Sequence, residues 1–137
     1  MGRAIVSEFI DLGASVMAVA RTGEDLRNLK KAYPSDLDLL VYEADVSKEA
    51  HRERLLKHVK DQWGQLDILV NNAGLNIRKA TTAYHEEEYD TIMNTNLSAS
   101  FNLSRLFHPL LKKSGQGSIV FMSSVAGLTH VRTGSIY

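Results

Sequence analysis

Leu66-Asp67-Ile68-Leu69-Val70-Asn71-Asn72-Ala73-Gly74 lies near the middle of the 137-residue chain and decides how the rest is read. Leu66 to Val70 is short and almost wholly apolar, the mark of a strand covered on both faces. The four residues after it are small or carry amides, and suit a turn rather than a continued strand. Upstream, Asp45-Val46-Ser47 leads into a helix whose Leu55, Leu56, Val59 and Trp63 share one side, with Ser47 expected as its N-cap. Before that helix, Asp38 to Glu43 reads as a strand. Glu24 to Ala32 reads as a charged helix ended by Tyr33-Pro34, since the residue before proline resists helical geometry. Ser15 to Ala20 is a further buried strand. The first helix carries Ile5, Phe9 and Leu12 at helical spacing, and Gly13 supplies a left-handed stop.

Downstream, a polar loop containing Arg78 and Lys79 precedes a Glu-rich helix start at His85 to Glu88. A long helix is expected over Thr91 to Lys113, bent near Pro109, then a turn at Ser114 to Gly117 and a strand over Ser118 to Met122. Strands alternating with long helices imply parallel strands joined by right-handed crossovers. The expected fold is α/β, a Rossmann-like doubly wound parallel sheet forming one domain over residues 1–137. No repeat, low-complexity tract or linker interrupts it.

Bulk properties narrow the partners. Lys plus Arg and Asp plus Glu are 16 each, so nothing draws the chain to nucleic acid or to an anionic membrane. The apolar runs fall far short of the ~20 residues that span a bilayer. Met1-Gly2-Arg3-Ala4 lacks a basic region followed by an apolar stretch, so no signal peptide is expected. The chain has no cysteine, which excludes thiolate metal sites and disulfides and suits a cytoplasmic location. Histidines at 51, 58, 85, 108 and 130 show no metal-binding cadence, and no metal site is expected.

Ligands of such sheets bind beyond the carboxyl ends of the strands. Arg21-Thr22-Gly23, Asp45-Val46, Asn71-Asn72-Ala73-Gly74 and Ser123-Ser124 all leave strands at that edge. Singly each is weak. In this order, with Asn96 in NTNLSASF and Tyr137 thirteen residues after Ser124, they resemble the short-chain dehydrogenase/reductase family. Asn76 to Lys79 and the SIVFMSSVAGLTHVRTG stretch are most similar to its tropinone reductase-like branch.

The resemblance implies an NAD(P)-dependent oxidoreductase interconverting a ketone and a secondary alcohol, with a small-molecule carbonyl or alcohol as substrate. Gly2 stands at the end of the family's glycine-rich phosphate loop, though it also reads as a flexible terminus. Asp45 and Val46 would meet the adenine, or Asp45 simply starts a helix turn. Asn72, Ala73 and Gly74 would line the cofactor, Gly74 allowing close approach and Asn72 bonding across to a neighbouring strand. Ser124 would orient the carbonyl, Tyr137 would act as acid/base, and Asn96 would hold a water in the proton relay. The family lowers the phenol's ordinary pKa of ~10 with a lysine four residues past the tyrosine, beyond the last residue of this sequence. Arg132 is too far back to stand in for it. Tyr137 therefore also reads as a frayed terminal residue, and His130 as a residue that could touch substrate.

The strand over Ser15 to Ala20 ends in Arg21 rather than a carboxylate, which favours NADP(H) over NAD(H) because a guanidinium pairs with phosphate. A solvated arginine near Glu24 and Asp25 is the plainer alternative. The helix around 91–113 commonly contributes to an oligomer face in the family, and Phe101, Leu103, Leu106 and Phe107 serve that or a core stripe equally well. The family also sets a strand between those at Ser15 and Leu66, and here no such strand precedes Gly2. Unmade buried backbone bonds cost about 1–3 kcal/mol each, against ~5–15 kcal/mol for a whole domain. The expectation is an incomplete sheet that is unstable, aggregation-prone, or closed by joining the strands directly, and a chain that is inactive alone. The alternative is a non-catalytic relative that associates with full-length homologues. A methyltransferase or regulatory doubly wound domain would not account for the Asn-to-Ser-to-Tyr series.

Overall fold

Helix and strand alternate along the chain in the computed structural model, which describes residues 1–129 and 136. Tyr137, His130 and Arg132 lie outside the described residues. The chain divides into two compact units, Met1–Asp45 and Val46–Tyr137, taken in turn.

In the first unit, α1 (Gly2–Asp11) stops as its sequence dictates. Gly13 adopts φ 81°, a left-handed value that glycine alone takes without strain. Its N–H reaches Ile10 O at 2.9 Å, and that of Ala14 reaches Phe9 O at 2.9 Å. β1 (Val16–Ala20) pairs in parallel with β2 (Leu39–Glu43), from Val16 opposite Leu39 to Ala20 opposite Glu43. Between them runs α2 (Gly23–Lys31), with Glu24 and Asp25 in its first turn and Lys30 and Lys31 in its last, the order that suits the helix dipole. Ile10, Ala18, Leu26, Leu29 and Leu39 form the core, drawing one or more residues from every element.

The second unit opens with α3 (Glu49–Trp63), closed by Gly64 at φ 68°. Lys48, not Ser47, precedes its first helical residue, so the expected serine cap is displaced by one position. β3 (Ile68–Asn71) takes Asn71 into the strand, and β4 (Ser118–Phe121) lies parallel to it with Asn71 opposite Phe121. Between these strands come α4 (Glu86–Met93), a wider π-type turn over Asn94–Ser98, and α5 (Ala99–Ser114). Pro109 sits inside α5, which continues through it, and the turn before α5 is of π type over Asn94–Ser98. Ala99, Leu103, Phe107, Leu110 and Leu111 are the buried side of α5, which packs on α3, β3 and β4.

The incomplete parallel sheet expected from the resemblance is realised as two pairs, β1–β2 and β3–β4, rather than one continuous sheet. The expectation that every strand is covered on both faces does not hold for β4, all four of whose residues are exposed, Phe121 to 56%. No helix among the described residues is long and apolar enough to cross a membrane.

Candidate active site

Parallel pairing fixes where chemistry can gather. Asn71 ends β3 directly opposite Phe121 at the end of β4, and Met122 N–H donates to Asn71 O at 3.0 Å. The loops carrying Asn72 to Gly74 and Ser123-Ser124 therefore leave neighbouring strands at one edge, the carboxyl edge where α/β sheets take ligands.

Asn96 is brought to this edge from the helical side. Its Oδ1 accepts from Leu75 N–H at 2.9 Å, and its Nδ2 donates to Leu75 O at 2.9 Å. One side-chain amide thus satisfies both polar groups of the residue after Gly74. A primary amide offers a donor and an acceptor side by side, which no carboxylate or hydroxyl does. The π turn holding Asn96 belongs to a class of irregularity found often at functional sites. Asn96 O in turn accepts from Ser100 Oγ at 3.5 Å, and Ser100 O from Ser104 Oγ at 2.8 Å. Asn71 Nδ2 donates to Ser104 Oγ at 3.4 Å. A ladder of polar groups down one side of the helix so connects its π turn to the end of β3.

Three amide oxygens near the turn, those of Asn71, Asn72 and Asn76, are buried with no hydrogen-bond partner among the described residues. The cross-strand bond expected of Asn72 is not made by its Oδ1; it is Asn71 that reaches a neighbour, and that neighbour is a helix. Gly74 is open in a different sense. A methyl built on it would meet only Asn96 Oδ1, at 3.6 Å, an ordinary contact, and its φ is not left-handed. The space that a side chain at residue 74 would take is therefore open.

Ser124 is half-buried at the start of a short 3₁₀ turn (Val125–Gly127), its Oγ accepting from Ala126 N–H at 3.2 Å. Ser123 beside it is exposed. Val46 is buried, and its carbonyl accepts from Arg52 Nη1 at 2.8 Å across the first turn of α3. In the first unit, Gly2 begins α1, exposed Arg21 follows β1, and Asp45 follows β2.

The loop from Asn76 to Glu88 holds a latch that the sequence did not reveal. Lys79 Nζ lies 2.6 Å from Glu88 Oε2, donates to Ala83 O at 3.1 Å, and sits 5.7 Å from the centre of the Tyr84 ring. Tyr84 OH donates to Ile77 O, and His85 N–H donates to Glu88 Oε2 at 2.9 Å. The three-residue spacing from His85 to Glu88 has the form of a capping box and was the one available signal. The His85 N–H, then the Lys79 ammonium, hold the Glu88 carboxyl below its usual pKa, with burial opposing weakly. The sign follows from linkage: a depressed carboxylate pKa contributes order above its ordinary value, lost as pH falls through the folded one. Protection of the amides over residues 77–88, taken relative to their intrinsic exchange at each pH, is accordingly expected to fall as pH drops through the lowered Glu88 value. In Glu88→Gln the exchange should already be fast at neutral pH and should lose that acid-dependent step.

The family described as short chain dehydrogenase matches residues 1–137. The chain belongs to that family. A tropinone reductase homolog of Arabidopsis thaliana is 45% identical over the whole chain, which covers 53% of that relative. A tropinone reductase homolog of Datura stramonium is 43% identical, with 52% of it covered. Senescence-associated protein 13 of Arabidopsis thaliana is 44% identical, again with 52% covered. These relatives put this short-chain dehydrogenase in the tropinone reductase-like branch, and the chain spans about half their length. A crystal structure of a short-chain dehydrogenase from Streptomyces avermitilis superposes with a TM-score of 0.84 at 30% identity, over 92% of this chain and 46% of that one.

Proposed function

We propose that this short-chain dehydrogenase serves the interconversion of a ketone and a secondary alcohol, with NADP(H) preferred to NAD(H), as one nucleotide-binding domain. The observation that carries the reading is the Asn72–Gly74 turn, bare at Gly74 and braced through Leu75 by both ends of the Asn96 amide. The residues suit a dinucleotide: the buried, unpartnered Asn72 Oδ1 is an acceptor for a ribose or carboxamide donor. By the family resemblance Val46, Asn72, Ala73 and Gly74 of the second unit are assigned to the cofactor, and so, on that resemblance alone, are Gly2, Arg21 and Asp45. The bound nicotinamide supplies the hydride. Ser124 would orient the carbonyl oxygen, Asn96 would support the proton relay, and Tyr137 would donate the proton to the developing alkoxide.

Fluorescence titration with NADPH tests this. Wild type should bind, and Gly74→Ala should keep its unfolding midpoint while binding at least about tenfold more weakly, the equivalent of ~1.4 kcal/mol. Equal affinities in the two proteins would remove the support. A second reading, association with a further copy or with full-length relatives, is favoured by Leu97 and Phe101. They stand 58% and 63% exposed one turn apart, at the start of the helix expected to form an oligomer face.

A further inference from the structure

The carboxylate absent from the tip of β1 is supplied from β2. Glu43 ends β2, and its side chain turns back onto the loop that follows β1. A methyl built on Gly23 would fall 2.2 Å from Glu43 Oε2 and 3.1 Å from Arg27 Nη1. Real carbon atoms do not approach oxygen so closely, so the carboxylate rests there only because residue 23 has no side chain. Arg21, two residues before Gly23, is the residue of this loop that the proposed function assigns to NADP(H), and the present inference rests on that reading.

Two groups of opposite sign consequently meet at this loop. The Arg21 guanidinium would pair with a 2′-phosphate, whereas a carboxylate accepts a hydrogen bond from a 2′-hydroxyl and repels a phosphate of charge about −1.5 to −2. The other nearby acids differ from Glu43. Asp25 is engaged with Arg3, at 3.7 Å, and Glu24 lies in the first turn of α2. Arg27 borders the same point as the Glu43 oxygen and offers the carboxylate a cationic neighbour toward which it can withdraw.

We propose that Glu43, seated against Gly23, is a cofactor-specificity residue that offsets Arg21 and narrows the preference for NADP(H) over NAD(H). The test is the ratio of NADPH to NADH dissociation constants for the intact chain and three variants. Glu43→Gln removes the charge and keeps the shape. Gly23→Ala keeps the charge but drives the carboxylate from its seat, which is cheap for the far end of a flexible side chain. Glu24→Gln removes an equal charge from the same helix end.

Glu43→Gln should tighten NADPH by about tenfold, the scale of a charge–charge repulsion across several ångströms of water, and leave NADH unchanged or weaker. Gly23→Ala should move the ratio the same way by less, and Glu24→Gln should move it least. Wild type binding both cofactors, with a Glu43→Gln ratio within about twofold of its own, would overturn this inference alone. So would a Glu24→Gln shift as large as that of Glu43→Gln. A wild type that binds neither cofactor would overturn it together with the proposed function.

Discussion

Asn96→Ala is expected to lower the stability of the second unit by about 2–4 kcal/mol, since the Leu75 N–H and C=O would each lose a partner at about 1–3 kcal/mol. Both bonds are 2.9 Å and both groups are half-buried, so water replaces them only in part. Against a domain total of about 5–15 kcal/mol this is a large share. The damage should be local first: amide exchange at Leu75 and through the Asn76–Glu88 loop should rise by more than tenfold, about 1.4 kcal/mol in the local opening equilibrium. Asn96→Asp separates the bonding pattern from the shape. Its carboxylate still accepts from Leu75 N–H but sets a second oxygen against Leu75 O, so it should behave at least as badly as alanine. A denaturant midpoint for Asn96→Asp equal to wild type would show that the amide is not the brace described.

Phe107→Ala should cost more, about 3–5 kcal/mol by the usual scale for emptying a buried aromatic position. Phe107 is 2% exposed on the side of α5 that also buries Leu103, Leu110 and Leu111. That helix supports β3 and β4 and carries Ser104, whose hydroxyl meets Asn71. Emptying the site should therefore weaken cofactor uptake along with folding, although Phe107 has no part in the proposed chemistry. Phe101 makes the contrast: it is 63% exposed on the same helix, and Phe101→Ala should change the unfolding midpoint little. Circular dichroism melts of the two variants beside wild type would settle the difference, and similar losses in both would contradict the burial pattern.

Much of this was legible from residue order. The apolar runs at Ser15, Asp38, Leu66 and Ser118 placed four strands to within a few residues, because a short apolar run bounded by turn residues is a plain signature even where, as at β4, the strand is left exposed. Gly13 stopped α1 as read, and Asn71 to Gly74 emerged at the strand edge where ligands bind. Elsewhere the signal was too local. Proline drew the expected bend to Pro109, and the π turn over Asn94–Ser98 was not foreseen, since Asn94, Thr95 and Asn96 are weak helix formers that carry no motif for it. Asn96 was singled out for a role through a water, and no spacing rule announced that its side chain also spans back to Leu75, a contact between residues 21 apart. The Lys79–Glu88 latch, the Arg52 bond to Val46 and the seat of Glu43 on Gly23 are likewise meetings that no spacing rule announces.

The π turn at Asn94–Ser98 also sets a rotational phase between two helices. It accommodates one residue more than an α turn would, and each helical residue turns the chain by about 100°. Deleting any one position there would let α4 and α5 fuse into a smooth cylinder, a gain in regularity. The same deletion would swing α4, with Glu88 on it, around the axis relative to Leu103 and Phe107. The Lys79 loop and the packed side of α5 could then not both be satisfied. An imperfect helix is thus the geometrical condition under which one rod serves two differently oriented surfaces.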